Sequence, residues 1–305
     1  MNVLVLGGTR FVGLHLVQLL HGLGHNVTVL NRGRTEGRLP EGVSRITADR
    51  SHPAEIVAGL RGRQFDAAFD ISGYRPSELG PVVDELDGNV GSYVFCSTAA
   101  VYAAGDVAPI REEFPLDRGA EPGTYSGDKI LCEDLLLEVF SQRGFPATII
   151  RPPYVYGPDD HIVRRLLGIF ARLRQRRKII VPGTGMALFH SVHVDDLASA
   201  FAAMPGRSEA LGQTYNSVGQ EAITFNGFIN VIASVMDLNA DVIRVDAQNY
   251  EAMLKESASI KGAEIFDYGW QQSRIFSNEK LRRELGWSPR YDMRDGVEMT
   301  YQWWL

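Results

Sequence analysis

The first thirteen residues restrict this chain more than any other stretch. Val3-Leu4-Val5-Leu6 is an apolar run of strand length, and it ends at Gly7-Gly8-Thr9-Arg10-Phe11-Val12-Gly13. Beyond the turn, Val12, Leu16, Leu19 and Leu20 recur at helical spacing, and Gly24 stands where a C-terminal cap belongs. A strand, a glycine turn and a helix in this order suit a pyrophosphate. Glycines let the backbone approach it, and the helix N-terminus supplies N–H donors and positive dipole. Gly7, Thr9, Arg10, Phe11, Val12 and Gly13 are therefore predicted to hold a dinucleotide.

Further apolar runs at Asn26–Leu30, Phe65–Ile71, Ser92–Cys96 and Ala147–Ile150 alternate with helical patterns. Strands apolar on both faces and separated by helices predict an α/β fold, a doubly wound parallel sheet of Rossmann type. The expected division is a dinucleotide-binding domain over 1–152 and a smaller, discontinuous mixed α/β substrate domain over 153–305. A segment near 190–215 is expected to return to the first domain. In the second half, Ile162, Leu166, Ile169, Phe170 and Leu173 mark one amphipathic helix.

Composition narrows the function classes. The chain has 305 residues, 45% hydrophobic and 22% charged, which excludes a disordered or collagen-like chain. Its net charge of −6 argues against a nucleic-acid binder, although Arg164, Arg165, Arg172, Arg174, Arg176, Arg177 and Lys178 crowd one stretch. Cys96 and Cys132, the two cysteines, have no metal-ligand or disulfide spacing, so no metal site is expected. No basic segment precedes the first apolar run, and no run reaches the ~20 residues of a membrane helix. The expectation is a cytoplasmic protein with no membrane partner.

The second strand ends in Asn31-Arg32-Gly33-Arg34, where NAD-binding versions of this turn place a carboxylate for the ribose 2′-hydroxyl. Three arginines near one ribose (Arg10, Arg32, Arg34) and no carboxylate predict NADP in preference to NAD. Asp49-Arg50 ends the next strand and is expected beside the adenosine.

Tyr125 and Lys129 are spaced i,i+4 at the start of a helical stretch and so share one face. A free tyrosine has a pKa near ~10, and a neighbouring ammonium favours its phenolate. Such a pair suits proton exchange with an alcohol or ketone. Thr98, at the end of the Ser92–Cys96 strand, can present a hydroxyl to the same substrate oxygen. Thr98, Tyr125 and Lys129 are the predicted catalytic set.

In these motifs the chain resembles the extended short-chain dehydrogenases/reductases of the NAD-dependent epimerase/dehydratase type. The resemblance also includes Arg151-Pro152-Pro153-Tyr154-Val155-Tyr156-Gly157-Pro158, His193-Val194-Asp195-Asp196 and Leu285-Gly286-Trp287-Ser288-Pro289. It implies that Asp49 contacts adenine, that Ser72 and Gly73 line the nicotinamide ribose, and that Pro152 to Tyr154 border the nicotinamide. Tyr74, His190 and Arg274 are expected to face a sugar-like substrate. Resembling proteins dimerise through the helix that follows Tyr125, so a homodimer is expected.

The chain departs from the pattern in three places. Arg10 replaces a glycine, as in a Gly-Gly-Thr-Arg-Phe branch that includes chloroplast stem-loop-binding proteins. Ala99 and Ala100 stand where sugar-nucleotide 4,6-dehydratases carry Asp-Glu, which disfavours water elimination. Leu188-Phe189-His190-Ser191 lacks the arginine that epimerases carry for a substrate diphosphate. The leading expectation is an NAD(P)-dependent epimerase or reductase; the competing one is a non-catalytic NADP-sensing or RNA-binding protein.

Overall fold

A computed structural model describes residues 1–35, 37–162, 165–246, 248–250, 252–253 and 272–305. Arg164, one of the clustered basic residues, lies outside the described residues. Six strands of the first half are β1 (Asn2–Leu6), β2 (Asn26–Asn31), β3 (Ser44–Thr47), β4 (Ala67–Asp70), β5 (Tyr93–Cys96) and β6 (Ala147–Arg151). Together with β10 (Thr214–Asn216) they form a seven-stranded sheet of order β10-β6-β5-β4-β1-β2-β3. Every pairing in it is parallel.

The alternation of side chains along β1 explains the two layers of helices. Val3 and Val5 point into one core with α1 (Phe11–Gly22) and α6 (Val194–Ala202). Leu4 and Leu6 point into the opposite core, with α2 (Pro53–Leu60), α3 (Pro76–Leu86) and α4 (Tyr125–Arg143). Successive strand residues face opposite sides, so a strand covered on both must be apolar throughout. Each fully buried Val or Leu contributes about 1.5–3 kcal/mol.

Helix α4 has sequence-coded ends. The Thr124 hydroxyl accepts the Gly127 N–H at 3.2 Å, and Gly144 closes the helix in the left-handed conformation.

The rest of the chain builds a separate aromatic-rich core. It joins β7 (Tyr154–Tyr156), α5 (Leu166–Arg174), β8 (Ile179–Pro182), β9 (Leu188–His193) and α7 (Phe225–Val235). The C-terminal α9 (Met293–Trp304) packs on it, with Trp304 5.6 Å from the Phe170 ring. The smaller sheets are β11 (Ala222–Thr224)-β9-β7 and β12 (Val242–Val245)-β8. Helix α8 (Glu279–Leu285) contributes Leu281 and Leu285 to the first core.

Partly buried polar contacts tie α1 to its surroundings: His15 bonds Asp195 on α6 at 2.6 Å, and its other nitrogen reaches the Pro158 carbonyl, just past β7, at 3.1 Å. Among the described residues, no helix is long and apolar enough to cross a membrane, and no cluster of three metal-ligating side chains occurs.

Candidate active site

A cavity of about 1090 Å3 runs along the C-terminal ends of the parallel strands. Its first wall is the glycine turn. Gly7 has φ +93°, and a Cβ there would lie 2.7 Å from that of Ser72. At Gly13 a Cβ would lie 2.1 Å from the Gly7 carbonyl oxygen, so only glycine closes this turn. Phe11, the first helical residue, has φ +40°, a strained value for a side chain of that size. Arg10 at the N-cap makes no side-chain cap, so the first N–H groups of α1 have no side-chain partner there, and Arg10, Phe11 and Val12 line the cavity.

Thr9, Arg10, Phe11 and Val12 line the cavity, as do Asn31, Arg32, Arg34, Asp49 and Ser72. Arg34 is exposed and stands 3.8 Å from Asp49. The Ser51 hydroxyl and backbone N–H bond the Asp49 carboxylate and hold its pKa below the usual range. Asn31 Oδ1 accepts the Gly33 N–H, while its buried Nδ2 has no partner. A buried donor without a partner costs about 1–3 kcal/mol, so this amide awaits an acceptor.

Arg50 is positioned differently from its neighbour. Its guanidinium is buried in the cavity floor and held bidentately by Asp70. Tyr93 donates to the same carboxylate at 2.5 Å. Burial pushes the Arg50 pKa down and Asp70 more than offsets it, so the net shift is upward. Arg50 also donates to the Ser72 hydroxyl at 3.2 Å, which makes it a support for the loop after β4.

The hydroxyl comes from the end of β5 and the phenol and ammonium from α4, and all three share the cavity wall. Thr98 caps a 3-10 turn, Ala99–Val101, by accepting the Ala100 N–H at 3.2 Å, which leaves its own hydrogen to donate. Tyr125 opens α4 and is half exposed. Lys129, one turn later, is buried and donates to the Gly73 carbonyl at 2.8 Å and to that of Cys96. Burial pushes its pKa below the ordinary lysine value. Gly73 is thus behind the wall, its carbonyl committed to Lys129. The Cys96 thiol lines the cavity, but burial raises its pKa to about 11 and keeps it neutral.

A buried ion pair unites these segments. Glu133, one turn past Lys129, accepts from Arg151 through both oxygens (2.9 and 2.5 Å) and from the Ser97 hydroxyl. Ser97 precedes Thr98, and Arg151 precedes the cavity-lining Pro152.

Residues 3–79 and 82–217 match the sequence profile described as the NAD dependent epimerase/dehydratase family, well over half of the chain. The chain belongs to that family. A chloroplast stem-loop binding protein of 41 kDa b from Arabidopsis thaliana is 28% identical, over 98% of this chain and 78% of its own length. UDP-glucose 4-epimerase of Azospirillum brasilense is 24% identical over 99% and 91%. The crystal structure of UDP-glucose 4-epimerase from Thermotoga maritima, with UDP-glucose, superposes with a TM-score of 0.82 at 18% identity, covering 100% of this chain and 98% of that one. The dTDP-glucose 4,6-dehydratase of Bacillus anthracis, in complex with NAD, gives 0.81 at 18%, covering 100% and 96%.

The donor set fits the dinucleotide that the family name implies. The glycine cradle leaves no room for a Cβ, the helix N-terminus is uncapped, and Asn31 Nδ2 lacks a partner. Beyond Thr98, Tyr125 and Lys129 the wall passes to the second region of this family member, with His161, Ile162, Arg165, Phe189, His190, Arg274 and Phe276. His190 lines the cavity, but both ring nitrogens serve backbone groups, the Gly219 carbonyl at 3.1 Å and the Phe276 N–H at 3.3 Å. Arg274 donates to the Tyr102 carbonyl at 2.9 Å. Tyr74 lies at the mouth, its ring 6.3 Å from that of Tyr125.

Tyr154 is the expected cofactor neighbour that the structure places elsewhere. Pro153 and Val155 face the cavity, and alternation along β7 turns Tyr154 into the opposite core. There its hydroxyl accepts the Leu166 N–H at 3.2 Å. Sequence reasoning did not single out His161, Ile162, Phe189 or Phe276 as site residues. His161 and Ile162 sit in irregular chain before α5, Phe189 lies on the short β9, and Phe276 reaches the site through an isolated bridge to Ile110.

Proposed function

We propose that this protein is an NAD(P)-dependent epimerase or reductase acting on an alcohol or ketone of a sugar or sugar-nucleotide-like substrate. The observation that carries the reading is the meeting of Thr98, Tyr125 and Lys129 with the glycine turn in one cavity. A bound nicotinamide supplies the hydride acceptor or donor. Tyr125 exchanges the proton with the substrate oxygen, Thr98 donates a hydrogen bond to that oxygen, and the Lys129 ammonium favours the phenolate. Arg165 and Arg274 on the far wall favour an anionic substrate such as a sugar nucleotide. Ala99 and Ala100 carry no proton-transfer group, which favours epimerase or reductase over dehydratase.

Exposed Arg32 and Arg34 beside the Asn31 amide favour NADP. Leu131 and Leu137, exposed on α4, favour a homodimer. Replacing Tyr125 by Phe is expected to lower turnover by about 10²–10⁴-fold, the usual share of acid–base catalysis, with cofactor affinity retained. Full activity in that variant would overturn the mechanism.

A second reading is supported by the stem-loop-binding relative and by exposed Arg174, Arg176, Arg177 and Lys178 at the end of α5. A non-catalytic RNA binder would lose affinity steeply with salt, through counterion release. Salt-independent or absent RNA binding would remove this reading.

A further inference from the structure

The Lys129 ammonium is enclosed by two aromatic faces. Its Nζ lies 4.6 Å from the centroid of the Phe95 ring and 4.9 Å from that of Tyr74. Phe95 is a fixed wall, fully buried in β5, with its ring edge 3.0 Å from where a Cβ on Gly73 would be. Tyr74 follows Gly73 and is 51% exposed, so its ring closes the cage from the solvent side.

Few other groups can hold the charge. Asp70, at the end of β4, is committed to Arg50 and Tyr93. Cys96 on β5 and Cys132 on α4 stay neutral, since burial raises their pKa values to about 11 and about 12. Arg50, beyond β3, opposes a second cation, and Tyr125 shares the helix. Besides the Asp70 charge, which Arg50 and Tyr93 share, the two backbone carbonyls and the two ring faces favour the ammonium. An aromatic face attracts a cation through its quadrupole, and more strongly where water is excluded.

We propose that Tyr74 is a positioning residue whose ring face completes an aromatic cage with Phe95 and keeps Lys129 charged beside Tyr125. Removing the ring takes away an interaction made only with the charged form, so the lysine pKa must fall. The catalytic sense of the cage rests on Lys129 being the partner of Tyr125 in turnover; the cage itself does not.

The test is an NMR titration of Lys129 in cofactor-free protein carrying ¹³C-lysine, followed at Cε. Tyr74→Leu is expected to lower the midpoint by roughly 0.4–1.5 pH units, the range set by a cation–π contact. Tyr74→Phe keeps the ring face and is expected to titrate with the wild type. A wild-type midpoint in Tyr74→Leu, or an equal fall in Tyr74→Phe, would overturn the proposal. Should Tyr74→Leu fail to fold, Tyr74→Trp decides, with a midpoint at or above the wild type expected and one below it contradictory. No turnover enters this readout, so failure of the catalytic reading would leave these midpoints in place, and failure of the cage would appear in them alone.

Discussion

At the glycine-turn end, the cavity wall is built from the turn after β1 and from residues just beyond the ends of its neighbouring parallel strands. At the far end it consists of large side chains from separated segments: Arg165 at the start of α5, Phe189 on β9, and Arg274 and Phe276 held through isolated bridges. Under the proposed function, the contrast follows from what each end would recognise. A pyrophosphate is well held by N–H groups and a helix dipole, which any strand–turn–helix can supply. Substrate discrimination needs side chains of particular shape and charge, which regular backbone does not provide.

The contrast can be broken first at the turn. Gly13→Ala places a Cβ against the Gly7 carbonyl, 2.1 Å away. The cost should reach or exceed the ~3 kcal/mol upper range of overpacking, which is a loss of about a hundredfold or more in cofactor affinity. Unchanged affinity by calorimetry would mean that the turn is only a structural bend.

The seam between the two ends provides the next test. Burial lowers the pKa of His193, which caps α6, to about 4. The unfolded chain takes up that proton near pH ~6.5. Between these values the unfolded state binds the proton and the folded state does not, so stability falls as pH falls. The loss by about pH 4.5 should be about 2–3 kcal/mol from this one group. His193→Gln should flatten the pH dependence of urea unfolding by that amount, and an unchanged slope would show that His193 does not titrate on unfolding. His190, lowered by burial in the same direction, should leave a residual slope in the variant.

The smallest effect is expected at the cofactor rim. Arg32→Ala and Arg34→Ala remove exposed cations, each worth about 0.2–1 kcal/mol against a phosphate. NADP affinity should fall by up to about fivefold per residue with NAD affinity unchanged. Tighter binding of NAD than NADP by the wild type would contradict the assignment.

The first region was legible because its signals are local. Strands β1, β2, β4, β5 and β6 are apolar on both faces, and the glycine turn, Thr98 and the Tyr125–Lys129 pair each fall at a strand end or helix start. Arg50 shows the limit of such reading. Its place beside Asp49 predicts a cofactor contact and it does line the cavity, while its ion pair with Asp70, twenty residues on, is not readable from spacing. Tyr154 shows another. Its neighbours line the site, but a single step along a three-residue strand reverses the side chain. The far end was least legible, since His161 lies in an irregular loop and Phe276 in a segment that pairs through isolated bridges and side-chain bonds.

The most direct measurement mixes the NADP-loaded protein with sugars and sugar nucleotides and follows the reduced-nicotinamide absorbance band in a single turnover. The account predicts that the band rises with at least one such alcohol in the wild type, and not in Tyr125→Phe loaded with the same cofactor. No band with any member of the panel in the wild type, or an equal band in the variant, would contradict it.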